Sequence, residues 1–333
     1  MIELSYIIPF YNGGKSVLQL MDSIYASGLD ISETEIIVVD DKSSDDKSVQ
    51  MLHAYVQERS NIRIIRHEKN LRQGGAKNTG IRAAMGRYIA LADQDDIIPG
   101  KGIVNALKKA TETGVDMLAC RYIYQYSNGE RKEYGWPVYP GYTGSGKEFC
   151  ETYFDASVCV CPWEYLYRRE FLLEQNHPFA ENVLLEASDW VEWHLINAKQ
   201  VAYCPEQIYQ WNIFEESTSH QRTAKHAAAW VSLGYRKIED SKRIRTISSV
   251  YAGKVLADGK QNVEGTMLRL WKTTGYSDFF PALGDNLLSE LQKIQFSPRV
   301  NRMLNYPKMT LCELYLWGSV KRFIREMRDK LKR

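Results

Sequence analysis

Three aspartates follow one apolar run closely enough to affect one another's charge. In the stretch RYIALADQDDIIPG, Asp93, Asp95 and Asp96 come directly after residues that read as a buried strand. Carboxylates at such short spacing raise each other's pKa unless a cation or hydrogen-bond donors compensate. Taken alone, the stretch is either a solvated turn that caps the next helix or a site that binds a positively charged ligand.

A second acidic pair stands in the same setting. Asp40 and Asp41 end another run rich in β-branched residues. Continuous short apolar runs of this kind are typical of strands that are covered on both faces. Four such strands are predicted in the first third of the chain, at 5–10, 35–40, 62–67 and 87–93.

Helical periods separate these strands. Apolar residues recur at helical spacing from Val17 to Ile24, before Gly28, and a second helix is predicted after a Ser44 cap. The repeating β-α-β order favours parallel strands joined by right-handed crossovers. The predicted fold class is therefore α/β, with a doubly wound sheet flanked by helices.

In such a sheet, ligands bind beyond the carboxyl ends of the strands, where the strand order reverses. If the order is the common 3-2-1-4, the segments Pro9–Asn12, Asp40–Asp41 and Asp93–Asp96 meet on one rim. Two acidic clusters at carboxyl ends, and none at an amino end, favour the binding site over the solvated turn.

The loop after the first strand limits the kind of ligand. Its sequence, FYNGGKS, matches neither the dinucleotide fingerprint nor the P-loop. The spacing Asp93-x-Asp95 suits Mg²⁺ or Mn²⁺, which use one or two carboxylates and keep positions for substrate phosphates. We therefore expect a nucleotide diphosphate as ligand. The small residues of NLRQGGAKNTG, with Gly80, predict a helix that approaches the sheet closely.

Composition excludes several other classes of protein. Among 333 residues, 43 Lys and Arg balance 41 Asp and Glu, so a nucleic-acid partner is not expected. The six cysteines and six histidines show no metal-binding or disulfide spacing. No leader and no run of about 18 apolar residues is present, so we expect a cytoplasmic location.

The segments SYIIPFYNGG, EIIVVDDKSSDDKS and NLRQGGAKNTGIRAAMGRYIALADQDD together resemble the family 2 glycosyltransferases over residues 1 to about 100. The resemblance implies a GT-A fold, in which a Rossmann-like, mostly parallel sheet is flanked by helices. It also implies inverting transfer from a nucleotide diphosphate sugar, with a UDP-sugar as the expected donor and Mn²⁺ or Mg²⁺ as cofactor. The acceptor would be a glycan or a lipid-linked acceptor in cell-surface polysaccharide synthesis.

The resemblance assigns roles to individual residues. Asp93 and Asp95 would form the metal-binding DXD motif. Lys77 departs from the arginine usual in the family's Ala-Arg-Asn stretch. The lysine keeps the positive charge but lacks the bidentate guanidinium fork. The resemblance places five residues at the nucleotide sugar: Pro9, Tyr11, Asp40, Arg72 and Asp93. Of these, Asp40 and Arg72 would lie near the base, and Pro9 would line the nucleoside pocket.

The general base is expected in the acceptor half of the chain. Inverting transfer needs one base for the acceptor hydroxyl, and the segment around SDWVEW resembles the family's acceptor-side block. Asp189 is the candidate, although an N-cap for the helix of Trp190 would also explain an aspartate there. Glu186 is the reserve base, because Ser188 breaks the family's Glu-Asp pair.

Two further features keep two interpretations each. Tyr122, Tyr124 and Tyr126 alternate along a strand before an Asn128-Gly129 turn, predicted as type I′, and either stack on sugars or cover the sheet. His220 either reaches the metal or diphosphate, or is a solvated loop residue.

The predicted domains are a GT-A domain at 1–220 and a helical C-terminal region at 221–333. The GT-A domain divides into a nucleotide-sugar half at 1–100 and an acceptor half at 101–220. In the C-terminal region, Thr310 and Glu313 suggest a capping box that opens a helix with one basic face. The segment 312–333 is therefore either a docked helix or a peripheral contact with the inner face of the membrane.

Two other classes of function stay open beside the transferase. A catalytically silent nucleotide-sugar binding module would share the sheet and the rim but need no base. A nucleotidyltransferase would reuse a similar sheet with its carboxylates, yet it would require a Gly-rich phosphate loop after the first strand, and FYNGGKS is a poor match.

Overall fold

The computed structural model describes residues 1–154, 161–214, 222–270 and 276–313. The described strands are β1 Leu4–Phe10, β2 Thr34–Asp40, β3 Ile62–Arg66, β4 Tyr88–Leu91, β5 Met117–Tyr126, β6 Arg131–Tyr134, β7 Thr143–Gly144, β8 Tyr165–Arg168 and β9 Val201–Ile213. The described helices are α1 Ser16–Ala26, α2 Asp46–Val56, α3 Arg72–Ala83, α4 Gly102–Thr113, α5 Gly146–Tyr153, α6 Arg169–Gln175, α7 Ser188–Asn197, α8 Ala224–Ile244, α9 Ser249–Leu268, α10 Phe279–Leu283, α11 Asp285–Gln292 and α12 Pro298–Asn305.

The strands form one mixed sheet with the order β3-β2-β1-β4-β8-β5-β9-β7, and β6 pairs with β5. β1 to β4 are mutually parallel, whereas β8 runs antiparallel to both β4 and β5. The predicted 3-2-1-4 order of the first four strands is therefore confirmed. The carboxyl ends of β1, β2 and β4 consequently lie along one rim of the sheet.

Both faces of β1 are buried, as its continuous apolar sequence predicts. On one face, Tyr6, Ile8 and Phe10 share a core cluster with the apolar side of α1. On the other face, Ile7 contacts α3 at Gly80, where a Cβ atom would lie 2.2 Å from the Ile7 Cγ2 atom. The predicted close approach of a small-residue helix to the sheet is thus confirmed at Gly80.

The start of α2 differs from the prediction by one residue. Asp45, not Ser44, is the N-cap, and its carboxylate accepts hydrogen bonds from the backbone N–H groups of Lys47 at 3.2 Å and Ser48 at 3.3 Å. The Ser44 N–H is instead bound by the side chain of Asn12 at 2.9 Å. A carboxylate also interacts favourably with the positive end of the helix dipole, so the acidic neighbour takes the capping role.

The turn between β5 and β6 is not of type I′. That type requires a positive φ at both central residues, but Gly129 has a φ of +88° and Asn128 does not have a positive φ. The Gly129 N–H donates to the Tyr126 carbonyl at 2.9 Å, and the Asn128 side chain accepts from the Glu130 N–H at 2.9 Å. The turn is thus a longer hairpin loop that places only its glycine in the left-handed region.

The chain divides into two compact units, residues 1–217 with 244–251 and residues 218–243 with 252–333. The first contains the sheet. The second has its own apolar core, in which α8 and α9 cross at two glycines: a Cβ on Gly234 would lie 2.6 Å from the Gly259 carbonyl oxygen. No helix within the described ranges is both long and apolar enough to cross a bilayer.

The capping box at Thr310 is a wrong prediction. The Thr310 N–H donates to the Tyr306 carbonyl at 2.9 Å, so Thr310 lies within a helical turn rather than at its start, and its hydroxyl donates to the Met303 carbonyl at 3.2 Å. The basic helix predicted for 312–333 lies mostly outside the described residues, since the description ends at 313.

We predict that Gly80→Ala lowers stability, because the added Cβ atom must displace Ile7 in a closely packed layer. Overpacking of this kind costs about 1–3 kcal/mol, which thermal or denaturant unfolding would measure. Gly253→Ala in α9 is the control, since nothing lies within 4 Å of its Cβ position. That substitution should be stabilising by about 0.5–1 kcal/mol. Equal effects of both substitutions would contradict the packing of α3 on β1.

Candidate active site

Side-chain hydrogen bonds join the loop after β1 to the loop after β2. Asn12, which has a φ of +50°, accepts from the N–H groups of Ser44 and Asp45, both at 2.9 Å. Its own N–H donates to the Ser43 hydroxyl at 3.0 Å. Asparagine tolerates the left-handed region better than most residues, so one side chain can hold two strand ends together.

A second link joins the loop after β1 to the acidic turn after β4. The Gln94 side-chain oxygen accepts from the Tyr11 N–H at 3.0 Å, and its amide group donates to the Tyr11 carbonyl at 3.2 Å. Gly13 leaves room for this amide, since a Cβ there would lie 2.4 Å from the Gln94 oxygen. The ends of β1, β2 and β4 thus form one connected rim, as the topology predicts.

The two aspartates at the end of β2 are both buried and have separate partners. Asp40 accepts from the Ser43 N–H at 2.8 Å, and its other oxygen lies 3.4 Å from the Arg66 guanidinium. Asp41 accepts from the Leu71 N–H at 2.7 Å and pairs with His67 at 2.8 Å. Asp41 therefore fixes the segment that leads into α3, while Asp40 lies at the rim.

The three aspartates of the acidic turn lie in three different environments. Asp96 is buried and accepts from the Tyr209 hydroxyl at 2.6 Å and the Asn212 N–H at 2.8 Å. The Tyr209 hydroxyl also accepts from the Asp93 N–H at 2.9 Å. Burial, and then the charges of Asp95 and Asp93, raise the pKa of Asp96 well above its usual range. Asp96 thus anchors the turn to β9.

Asp95 reaches solvent at the rim. Protein atoms packed on its inner side, and then the neighbouring Asp93 carboxylate, raise the pKa of Asp95 to about 6. A carboxylate with that pKa is held at a site where a bound cation would offset the cost of its charge.

Asp93 contacts a buried lysine from α3. The Lys77 Nζ atom lies 3.5 Å from Asp93 Oδ1 and 2.9 Å from Glu186 Oε1, and the lysine side chain is only 2% exposed. Burial by itself would lower the pKa of Lys77, but the carboxylates of Asp93 and Glu186 outweigh it and raise that pKa. Lys77 is therefore a buried cation between Asp93 on the rim and Glu186, which is far away in sequence.

Asp189 lies three residues beyond Glu186, in the first turn of α7, and is buried. It is not the N-cap, because α7 begins at Ser188 and Ala187 takes that position without a side-chain hydrogen bond. A first-turn carboxylate still interacts favourably with the helix dipole. The interpretation of Asp189 as a cap is therefore wrong, and its predicted catalytic role does not compete with capping.

The remaining predicted nucleotide-sugar residues lie on or beside the rim. Pro9 is buried in β1 beside Val39, and Tyr11 is 46% exposed at the end of the same strand. Arg72 is the first residue of α3 and has a φ of +62°. His220 lies outside the described residues.

The tyrosine row on β5 belongs to an aromatic cluster. Tyr122 and Tyr124 share one face, with ring centroids 5.3 Å apart. Trp163 packs edge-on against Tyr122 at 4.7 Å and stacks on Tyr209 at 4.5 Å. These contacts support the interpretation that the row covers the sheet, and sugar stacking by the row stays a prediction.

Sequence reasoning identified the acidic rim but missed the residues that hold it together. Gln94 is the middle residue of the Asp93-x-Asp95 motif, and Lys77 is one of two departures from the family pattern, the other being Ser188. Their partners are far away in sequence, since Lys77 and Glu186 are 109 positions apart. The presence of charge at position 77 was the available signal, but nothing local identifies its partner.

Two carboxylates could contribute to a metal site. The Asp93 Oδ1 atom is buried and has no hydrogen-bond partner among the described residues. It lies 3.5 Å from the Lys77 ammonium, which is longer than a good hydrogen bond. No group of three or more potential ligands occurs among the residues that the structure describes. Asp93 and Asp95 therefore fit a hard cation that takes its other ligands from phosphates and water.

Comparison with known proteins agrees with this architecture. The model of the family described as "Glycosyl transferase family 2" matches residues 5–172, about half of the chain. The uncharacterized glycosyltransferase EpsJ of Bacillus subtilis is 32% identical over 188 residues, which are 54% of this chain and 52% of EpsJ. The chain thus spans about half the length of that curated relative.

Two solved structures share the fold. Residues 1–349 of TarS from S. aureus, in complex with UDP-GlcNAc, match with a TM-score of 0.68 and 16% identity over 98% of this chain and 92% of that one. The mannosyltransferase PcManGT from Pyrobaculum calidifontis, in complex with GDP-Man and Mn²⁺, matches with a TM-score of 0.54 and 15% identity over 94% and 87%. The fold is therefore GT-A, and the family match shows that this chain belongs to the family 2 glycosyltransferases.

Proposed function

We propose that this chain is an inverting glycosyltransferase that moves a sugar from a nucleoside diphosphate sugar to a hydroxyl of a glycan or lipid-linked acceptor. A UDP-sugar is the first donor to test, because the TarS structure that shares this fold holds UDP-GlcNAc. The observation that carries the proposal is the Lys77 contact, which brings Asp93 of the donor rim and Glu186 of the acceptor half to one ammonium group.

Asp189 is the general base of the proposed reaction. It removes the proton of the acceptor hydroxyl as that oxygen attacks the anomeric carbon from the face opposite the diphosphate. Glu186 stays the reserve base, and its carboxylate accepts a charged hydrogen bond from Lys77 at 2.9 Å. A carboxylate that is already paired with a buried cation is a weaker proton acceptor.

Mn²⁺ or Mg²⁺ would be held by Asp93 and Asp95. When bound, the cation would neutralise charge on the departing diphosphate. The position of Asp95 at the solvent-exposed rim, close enough to the Asp93 carboxylate for the two charges to affect each other, supports this assignment. Asp40, Arg72, Pro9 and Tyr11 would contact the nucleoside and sugar, as the family resemblance implies.

The other two classes of function make different predictions. A silent binding module would bind a nucleotide sugar but leave it intact, and a nucleotidyltransferase would release pyrophosphate instead of a nucleoside diphosphate. Incubation with UDP-, GDP- and dTDP-sugars and Mn²⁺, followed by product analysis, separates them. Release of the nucleoside diphosphate is the outcome expected here. A membrane contact through 312–333 stays a separate prediction.

We predict that UDP stabilises the protein only when Mn²⁺ or Mg²⁺ is present. At a hundredfold excess of UDP over its Kd, stability should rise by about 2.7 kcal/mol, measured as a thermal shift. Asp95→Asn should remove the metal-dependent part, whereas Glu112→Gln, at an exposed position on α4, should not. The same shift in EDTA as in Mn²⁺ would argue against a metal-bound donor.

We predict that Asp189→Asn lowers the rate of sugar transfer or donor hydrolysis by about 100- to 10,000-fold, the usual loss when a general base is removed. The Kd of UDP should stay close to that of the unmodified protein, because the base does not bind the nucleotide. Rates with UDP-GlcNAc and calorimetric UDP binding are the measurements. If Asp189→Asn is active and Glu186→Gln is inactive, Glu186 is the base.

A further inference from the structure

One face of α3 binds the segment that leads to the proposed base. Gly74, Lys77 and Asn78 lie at the three- and four-residue spacing that places residues on the same side of a helix, and Leu71 directly precedes α3. All four contact the segment 179–186, which precedes α7. The helix that contacts the rim through Lys77 therefore also contacts the segment before the proposed base.

Backbone contacts fix the first part of this segment. Asn78 accepts from the Phe179 N–H at 2.8 Å and donates to the Phe179 carbonyl at 3.0 Å, so both backbone groups of that residue are bound. The Asn182 N–H donates to the Leu71 carbonyl at 3.1 Å. At Gly74, a Cβ atom would lie 2.2 Å from the Ala180 carbonyl oxygen. The segment thus lies directly on the helix.

Lys77 fixes the second part. Its ammonium binds Glu186 at 2.9 Å, and it lies 5.6 Å from the centre of the Phe179 ring. The Glu186 side chain is 7% exposed and that of Lys77 is 2% exposed, so water does not screen the pair. The same ammonium reaches Asp93 on the rim. A single buried cation thereby connects the donor rim to the residue three positions before Asp189.

We propose that Lys77 is a positioning residue that holds the segment 179–186 on α3 and so sets the distance between Asp189 and the donor site. The inference rests on the proposed function in one respect, namely the catalytic role of Asp189. Misplacement of a reacting group by about 1 Å can cost up to a hundredfold in rate. Loss of the Lys77 contact should therefore slow the reaction without weakening nucleotide binding.

The test compares three variants at position 77 and its partner. Lys77→Met removes the charge at similar volume, Lys77→Arg restores it with the residue usual in the family, and Glu186→Gln weakens the ion pair with Lys77 while leaving the lysine in place. UDP-GlcNAc hydrolysis with Mn²⁺, UDP binding by calorimetry and hydrogen exchange of peptides spanning 177–189 are measured for each. Lys237→Met is the matched control, since Lys237 is a similarly buried lysine paired with Asp258 at 2.5 Å in the other compact unit.

For Lys77→Met we expect a fall of about 10- to 100-fold in the hydrolysis rate, a UDP Kd within about threefold of the unmodified protein, and faster exchange in 177–189. Lys77→Arg should recover most of the rate and the protection. Glu186→Gln should show faster exchange and a smaller loss of rate with the fold intact. Lys237→Met should leave rate and exchange in 177–189 unchanged.

The proposal is wrong if Lys77→Met hydrolyses UDP-GlcNAc at the normal rate, or if its UDP affinity falls as far as its rate does. Should Lys77→Met fail to fold, normal exchange and rate in Glu186→Gln would overturn it equally. Hydrogen exchange does not depend on the reaction. A protein that hydrolyses no donor, or an active Asp189→Asn variant, would therefore contradict the proposed function. Hydrogen exchange would still show whether Lys77 holds the segment 179–186 on α3.

Discussion

A single buried ammonium group, that of Lys77, lies between carboxylates from two distant parts of the chain. Asp93 and Glu186 would repel each other across a poorly hydrated space if no cation separated them. The contact distances of 3.5 and 2.9 Å compensate both charges at once. Removing one member of such a set is costly, because it leaves a buried charge without compensation. The rim and the segment that precedes α7 are therefore linked by charge as well as by packing.

The acidic residues at the rim divide their work according to their partners. Asp41 binds the Leu71 N–H and the His67 ring, Asp96 binds the Tyr209 hydroxyl and the Asn212 N–H, and both aspartates hold loops in place. Asp95 reaches solvent, and Asp93 has an oxygen that accepts no hydrogen bond from the described residues. The carboxylate of Asp96 thus positions Asp93 and Asp95, the two that fit a cation. This difference in roles explains how a short stretch tolerates three acidic residues.

Periodicity in the sequence was sufficient to predict the first four strands, and the β-α-β order with the common 3-2-1-4 arrangement then predicted the rim. The reason is that strands buried on both faces carry a strong, local apolar signal, seen in β1 and β2. Capping was predicted less well: Asp45 replaced Ser44 because two adjacent acceptors compete for the same N–H groups. The prediction of a type I′ turn at Asn128 was wrong because an asparagine can bind the backbone locally through its side chain while its own φ stays negative.

The contacts that connect the two halves could not be predicted in this way. The pairing of Lys77 with Glu186 and of Asn78 with Phe179 spans more than a hundred positions, and no local pattern specifies it. The resemblance to a family supplied roles for Asp93, Asp95 and Asp189, but not the side chains that orient them. Those depend on the tertiary contacts of α3.

The amide of Gln94 binds both backbone groups of Tyr11, much as a neighbouring strand would, and it occupies the space above Gly13. An amide side chain carries a donor and an acceptor side by side at every pH, which suits it to this pairing. The middle position of the acidic motif is consequently not a free variable for protein engineering. Most members of a library that randomises residue 94 would lose both of these hydrogen bonds, and with them one link between the loop after β1 and the turn after β4.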